Sequence, residues 1–126
     1  IFFYGIHQVE MILRLLGYEV SHAQVDKGSG KNHVATLAYK DGRMATMNLM
    51  AEGGGLFHLS VIGAKGRIDQ SINYDENIFL PGVRSFVRMF RSGKTDETME
   101  SMLVPVAVLE ALEKSIGGRG RVKVTC

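Results

Sequence analysis

The sequence predicts an α+β domain: an open, mainly antiparallel β-sheet with helices packed on one face. Three observations carry this. Apolar residues recur at helical spacing near both ends of the chain. Between them lie short runs with strand character, and Asp41-Gly42 separates two of these, a strong short hairpin signal. The connections between those runs are too short for parallel crossovers.

The first helix is expected from about Ile6 to Leu16, with Ile6, Val9, Leu13 and Leu16 on its apolar side and Gly17 as its stop. Glu10 and Arg14 stand at i,i+4 on the other side and suit an ion pair. A first strand spans Val20 to Val25. Lys27-Gly28-Ser29-Gly30-Lys31 is a polar turn; it lacks phosphate-loop spacing and opens no helix. His33 to Tyr39 and Arg43 to Met50 form the central hairpin. In its second arm Ala45, Met47 and Leu49 share the face that should meet the core. Met44, Thr46, Asn48 and Met50 share the other.

Gly53-Gly54-Gly55 reads as a loop. Leu56 to Ile62 is a further strand ended by Gly63, and Gly66 to Ser71 leads into a short one through Ile72 to Tyr74. About five or six strands are expected in one sheet. Pro81 then sits in the first turn of a helix, where its missing N–H costs little. Leu80, Val83, Phe86, Val87 and Phe90 form that helix's apolar stripe, and Gly93 ends it. Thr98 should cap a last helix running to about Ile116, with Met102, Val106, Leu109, Leu112 and Ile116 buried. Pro105 should kink this helix or mark its start. Arg121 to Val124 is a final strand.

At 126 residues the chain reads as one domain, long enough for a sizeable core. A net charge of +2 gives no argument for nucleic acid or an anionic membrane. The single cysteine, Cys126, fits a reducing, cytoplasmic setting. No apolar run reaches the roughly 18 residues of a membrane span. Ile1 is not an initiator methionine, so the chain reads as the downstream part of a longer polypeptide.

His7 and Glu10 are the leading candidates for chemistry. Three residues apart on a helix, they lie on one face and one turn apart. Such a pair can hold a hydroxyl and move its proton. Expected at the start of a helix, His7 should prefer the neutral form, because the dipole disfavours a cation there. The bland alternatives are a helix-entry histidine bonded to backbone or water, and a surface pair of Glu10 with Arg14. His22, His33 and His58 fall singly on strands and suggest no metal. Arg84, Arg88 and Arg91 form a basic stripe that reads as a solvated face, close in sequence to Asp96, Glu97 and Glu100.

Several phrases together resemble one family. Gly5-Ile6-His7-Gln8-Val9-Glu10 looks like the pattern Asp-x-Gly-x-His-x-x-Asp. The hairpin from Tyr39 to Leu49 looks like that family's central hairpin. Phe57-His58-Leu59-Ser60-Val61-Ile62-Gly63-Ala64-Lys65-Gly66 is similar to its strand and Gly-x-x-Gly phrase. Phe86 to Lys94, followed by Val108-Leu109-Glu110-Ala111, resembles its C-terminal signature. The family is the Gfo/Idh/MocA oxidoreductases, and the resemblance covers the C-terminal domain over nearly the whole chain.

The resemblance implies a partner domain, an N-terminal Rossmann domain that binds NAD or NADP and is absent from these 126 residues. It implies that the present domain supplies the substrate pocket and a homo-oligomer interface through the open sheet. Its substrates would be sugars, cyclitols or similar hydroxyl or carbonyl compounds. His7 matches the family's proton-transferring or substrate-orienting histidine, and Glu10 the carboxylate after it. Phe3 and Tyr4 would join Glu10 in lining the substrate site, as aromatic faces for carbohydrate C–H surfaces; packing against the core is the competing reading. Phe3 replaces the motif's leading aspartate, and no Gly-x-Gly-x-x-Gly occurs anywhere in the sequence. The isolated chain is therefore not expected to transfer hydride. A catalytically silent binding or assembly module is the alternative.

Overall fold

The computed structural model describes residues 2–51, 57–73 and 76–126, with backbone alone for Phe2, Phe3 and Arg119. The Gly53-Gly54-Gly55 loop and Tyr74 lie outside the described residues. The element order is α1 (Phe2–Leu16), β1 (Val20–Lys27), β2 (Asn32–Tyr39), β3 (Met44–Met50), β4 (Phe57–Gly63), β5 (Gly66–Ile72), α2 (Leu80–Ser92), α3 (Met99–Lys114), a π-type turn (Ser115–Arg119) and β6 (Val122–Lys123). All described strand pairs are antiparallel, giving the expected α+β architecture. The chain divides into two compact units, Ile1–Glu52 with Glu97–Cys126, and Gly53–Asp96.

The first unit holds a four-stranded sheet in the order β3-β2-β1-β6. Alternation along its strands drives one face inward. Ala23 and Val25 of β1, Ala35 and Leu37 of β2, and Met47 and Leu49 of β3 are buried. Val9 and Leu13 of α1 and Val108 and Leu112 of α3 close the same core. Leu13, Leu37 and Leu112 are fully enclosed, each worth roughly 1.5–3 kcal/mol of burial. Met44, Thr46, Asn48 and Met50 face outward as their alternation requires.

The two turns of this sheet follow from their residues. Gly42 sits at φ 89°. Its N–H bonds the Tyr39 carbonyl at 3.2 Å while the Tyr39 N–H bonds the Arg43 carbonyl at 2.9 Å. This is the three-residue hairpin loop whose last position needs a left-handed residue. At the β1–β2 turn the Gly28 N–H bonds the Asn32 carbonyl at 2.9 Å. A Cβ on Gly28 would stand 2.5 Å from that oxygen.

Helix α1 ends where Gly17 N–H bonds the Leu13 carbonyl at 2.8 Å. It begins at Phe2 rather than near Ile6, because nothing in Phe2-Phe3-Tyr4-Gly5 forces the chain out of helix. Thr98 caps α3 as expected: its Oγ1 accepts the Ser101 N–H at 3.0 Å, and Ser101 Oγ accepts the Thr98 N–H at 2.9 Å. Pro105 lies within α3 and is buried, so it does not mark the start. The buried face of α3 is Val104, Pro105, Val108, Leu109, Ala111 and Leu112, not the stripe from Met102. Met102 and Val106 are exposed.

The second unit holds the β4–β5 hairpin, a two-stranded sheet of its own rather than part of one five- or six-stranded sheet. Strand β5 is continuous to Ile72, since it pairs with β4 along its length, from Gly63↔Gly66 to Phe57↔Ile72. Helix α2 starts with Pro81 in its first turn and ends at Gly93. None of its side chains is buried, so its apolar stripe stays uncovered among the described residues.

Candidate functional site

The site predicted from sequence falls on the exposed side of α1. His7 and Glu10 are both exposed, and three-residue spacing sets them on one face of the helix. Because the helix begins at Phe2, His7 lies in its second turn. The free N–H groups belong to the first four helical positions, and His7 lies beyond them. Tyr4, one turn before His7, is 70% exposed. Gly5 is buried, turning the glycine inward and the histidine outward. The Phe3 side chain lies outside the described residues. Gln8 ties the helix to the sheet by donating from Nε2 to the Asn48 carbonyl at 3.3 Å.

Arg14 does not take Glu10 as its close partner. Its Nη2 meets Glu97 Oε1 at 3.0 Å, and Glu97 Oε2 also accepts the Ser101 hydroxyl at 2.7 Å. These contacts join α1 to the start of α3. The Ser101 hydroxyl and the Arg14 guanidinium hold the Glu97 carboxyl below the usual carboxylate range. The same carboxylate raises Arg14. Sequence reasoning missed this pair because its members are far apart in the chain.

The larger described cavity, about 460 Å³, runs along α2 and is lined by Val83, Arg84, Val87, Arg88, Arg91 and Ser92. A smaller one, about 150 Å³, opens on the outer face of the four-stranded sheet. His7 and Glu10 line neither. Among the described residues no group of three His, Cys, Asp or Glu side chains is placed to hold a metal ion. No helix of the described residues is long and apolar enough to cross a membrane.

No family model and no curated protein matches the sequence. Solved structures do match in fold. GenD2 from gentamicin A biosynthesis, in complex with NAD, superposes with a TM-score of 0.78 at 16% identity, over 97% of this chain and 47% of that one. The WlbA dehydrogenase from Bordetella pertussis, in complex with NADH and UDP-GlcNAcA, gives 0.70 at 16% identity, over 98% and 44%. Its counterpart from Chromobacterium violaceum, with the same two ligands, gives 0.69 at 17%, over 94% and 44%. The chain spans under half the length of each.

The fold is thus that of one domain of larger nicotinamide-binding oxidoreductases. In particular, it is the fold of the C-terminal domain of Gfo/Idh/MocA-type enzymes, the family that the motifs resemble.

Proposed function

We propose that this chain is the substrate-binding and oligomerisation domain of an NAD(P)-dependent oxidoreductase acting on a sugar, a cyclitol or a similar hydroxyl or carbonyl compound. The observation that carries the reading is the His7–Glu10 pair, exposed on one face of α1 in a domain of this fold. The NADH and UDP-GlcNAcA of the WlbA structures support a nicotinamide cofactor and a sugar-like substrate.

The residues described here do not suit the dinucleotide itself. Their strands pair only antiparallel, and a Rossmann site needs a parallel strand–glycine loop–helix unit. The cofactor belongs to a second domain, where its nicotinamide supplies or takes up hydride. This chain's contribution is binding and proton movement. His7 takes the proton of the substrate hydroxyl on oxidation and returns it on reduction. Glu10, one turn away, accepts a hydrogen bond from a neighbouring hydroxyl or from the imidazole and fixes orientation. Tyr4, on the turn before His7, gives the sugar an apolar wall.

Met44 and Met50, 65% and 55% exposed on the outer sheet face, support pairing of two copies through that face. The setting is the cytoplasm, and the substrate is a small molecule rather than nucleic acid.

The replacement of the motif's leading aspartate by Phe3 favours a second reading, a binding or assembly module without chemistry. The test is His7→Asn in the native polypeptide that carries this chain. Loss of turnover by roughly 10²–10⁴ is the expected result for a general acid or base. Turnover within about threefold of the parent would transfer the assignment to the silent module.

A further inference from the structure

The outer face of the four-stranded sheet carries a second feature, independent of α1. Cross-strand register sets Lys123 beside His22 and His22 beside Ala38, with Met44 completing the row. Strand alternation sends Val122 and Val124 toward the core, where both pack. Arg121 and Lys123 therefore project to the outer face. Arg121 and His22 border the 150 Å³ cavity together with Gln24, Thr36 and Met44.

The charge here is one-sided. Among the described residues no aspartate or glutamate lines the cavity, and neither Arg121 nor Lys123 takes part in a described ion pair. Asp26, further along β1, is the nearest carboxylate on that strand's outer face, and the Gln24 amide donates to it at 3.4 Å.

His22 adds a directional donor. Its Nδ1 is sealed from solvent and has no hydrogen-bond partner among the described residues. A shielded N–H without an acceptor is costly. With Nδ1 shielded, Nε2 is the ring nitrogen left to bond a ligand. The cavity is thus lined by Arg121, His22 and Thr36 among others, with room for one small group.

We propose that this cavity is an anion site, in which Arg121 and His22 hold a single small oxyanion group, a phosphate or a carboxylate. Arg121 forms charge-assisted hydrogen bonds to the oxygens, His22 donates from Nε2, and Lys123 adds a neighbouring positive charge.

Histidine-detected NMR of the chain, titrated at constant ionic strength with inorganic phosphate and separately with acetate, tests this. The expected result is a saturable shift of the His22 ring resonances with a Kd of about 1 mM or tighter, and no matching shift at His58. Arg121→Met, at an exposed position, should weaken binding about tenfold. Tighter phosphate would assign the site to phosphate groups, and tighter acetate to carboxylates. A linear response to both anions, or saturation unchanged in Arg121→Met, overturns the proposal. Neither result bears on His7, which lines no part of this cavity.

Discussion

The backbone N–H of Val25 donates to the hydroxyl of Ser115 at 2.8 Å, inside the core. Strand β6 is two residues long and pairs with β1 only at His22 and Ala23. Beyond that point no described strand lies beside the edge of β1. Ser115, 4% exposed at the end of α3, fills the missing place with a side-chain oxygen. One hydroxyl thereby locks the last helix to the first strand.

Ser115→Ala should be costly for so small a change. It strands a buried N–H, for which the expected loss is roughly 1–3 kcal/mol. Urea denaturation should show a lower midpoint with an unchanged slope. A midpoint equal to the parent's would mean that the Val25 N–H finds another acceptor.

Tyr39 presents the opposite case. It is 3% exposed, its hydroxyl has no described partner, and burial pushes that hydroxyl above the usual tyrosine range. Arg43 lies over the ring at 5.3 Å, a contact that phenylalanine would keep. Tyr39→Phe should leave stability unchanged or raise it by up to about 1 kcal/mol, since the desolvated hydroxyl is removed. Thermal melting decides this, and a clear drop would reveal a partner for the hydroxyl.

The Glu97 carboxyl is depressed when folded, so its contribution is full above the ordinary carboxylate pKa of about 4.3. It is lost as pH falls through the lower folded value. Arg14 and Glu97 are 62% and 44% exposed in their side chains, and solvent screening keeps the pair below about 1 kcal/mol. Glu97→Gln should therefore be slightly less stable than the parent at pH 7. The two stability curves should converge below roughly pH 4. Parallel curves across that range would detach the acid sensitivity from this pair.

Met50→Asp tests the sheet face. The side chain is exposed, so the fold should hold within about 0.5 kcal/mol. A charge buried without a partner in a two-copy interface should weaken association at least about tenfold. Mass in solution, read against concentration, checks this. A parent protein monomeric at every concentration would remove the interface.

What the sequence discloses depends on how local the cause is. The Asp41-Gly42 hairpin and the Thr98 cap were legible because each is decided within a few residues. The outward set Met44, Thr46, Asn48 and Met50 followed from simple alternation. The buried face of α3 was misread because Met102 to Leu109 is apolar at every position. An apolar run without polar gaps does not fix the phase of a helix. Ser115 and the Arg14–Glu97 pair were invisible because each depends on a partner distant in sequence. His7 and Glu10 were legible as a spacing, and both are exposed on α1. What lies opposite them was not.

The first compact unit is assembled from two separated stretches of chain, with Gly53–Asp96 between them. During synthesis α1 and the first three strands emerge early, while Val108 and Leu112, which complete their core, emerge much later. Until then the core that Leu13, Leu37 and Leu49 share with them is incomplete, and a nascent sheet waits with part of its greasy side uncovered. Closing that long loop costs entropy that rises only slowly with its length, but the delay is set by the ribosome's pace. Between those two events the apolar side of the sheet is open to non-native contacts.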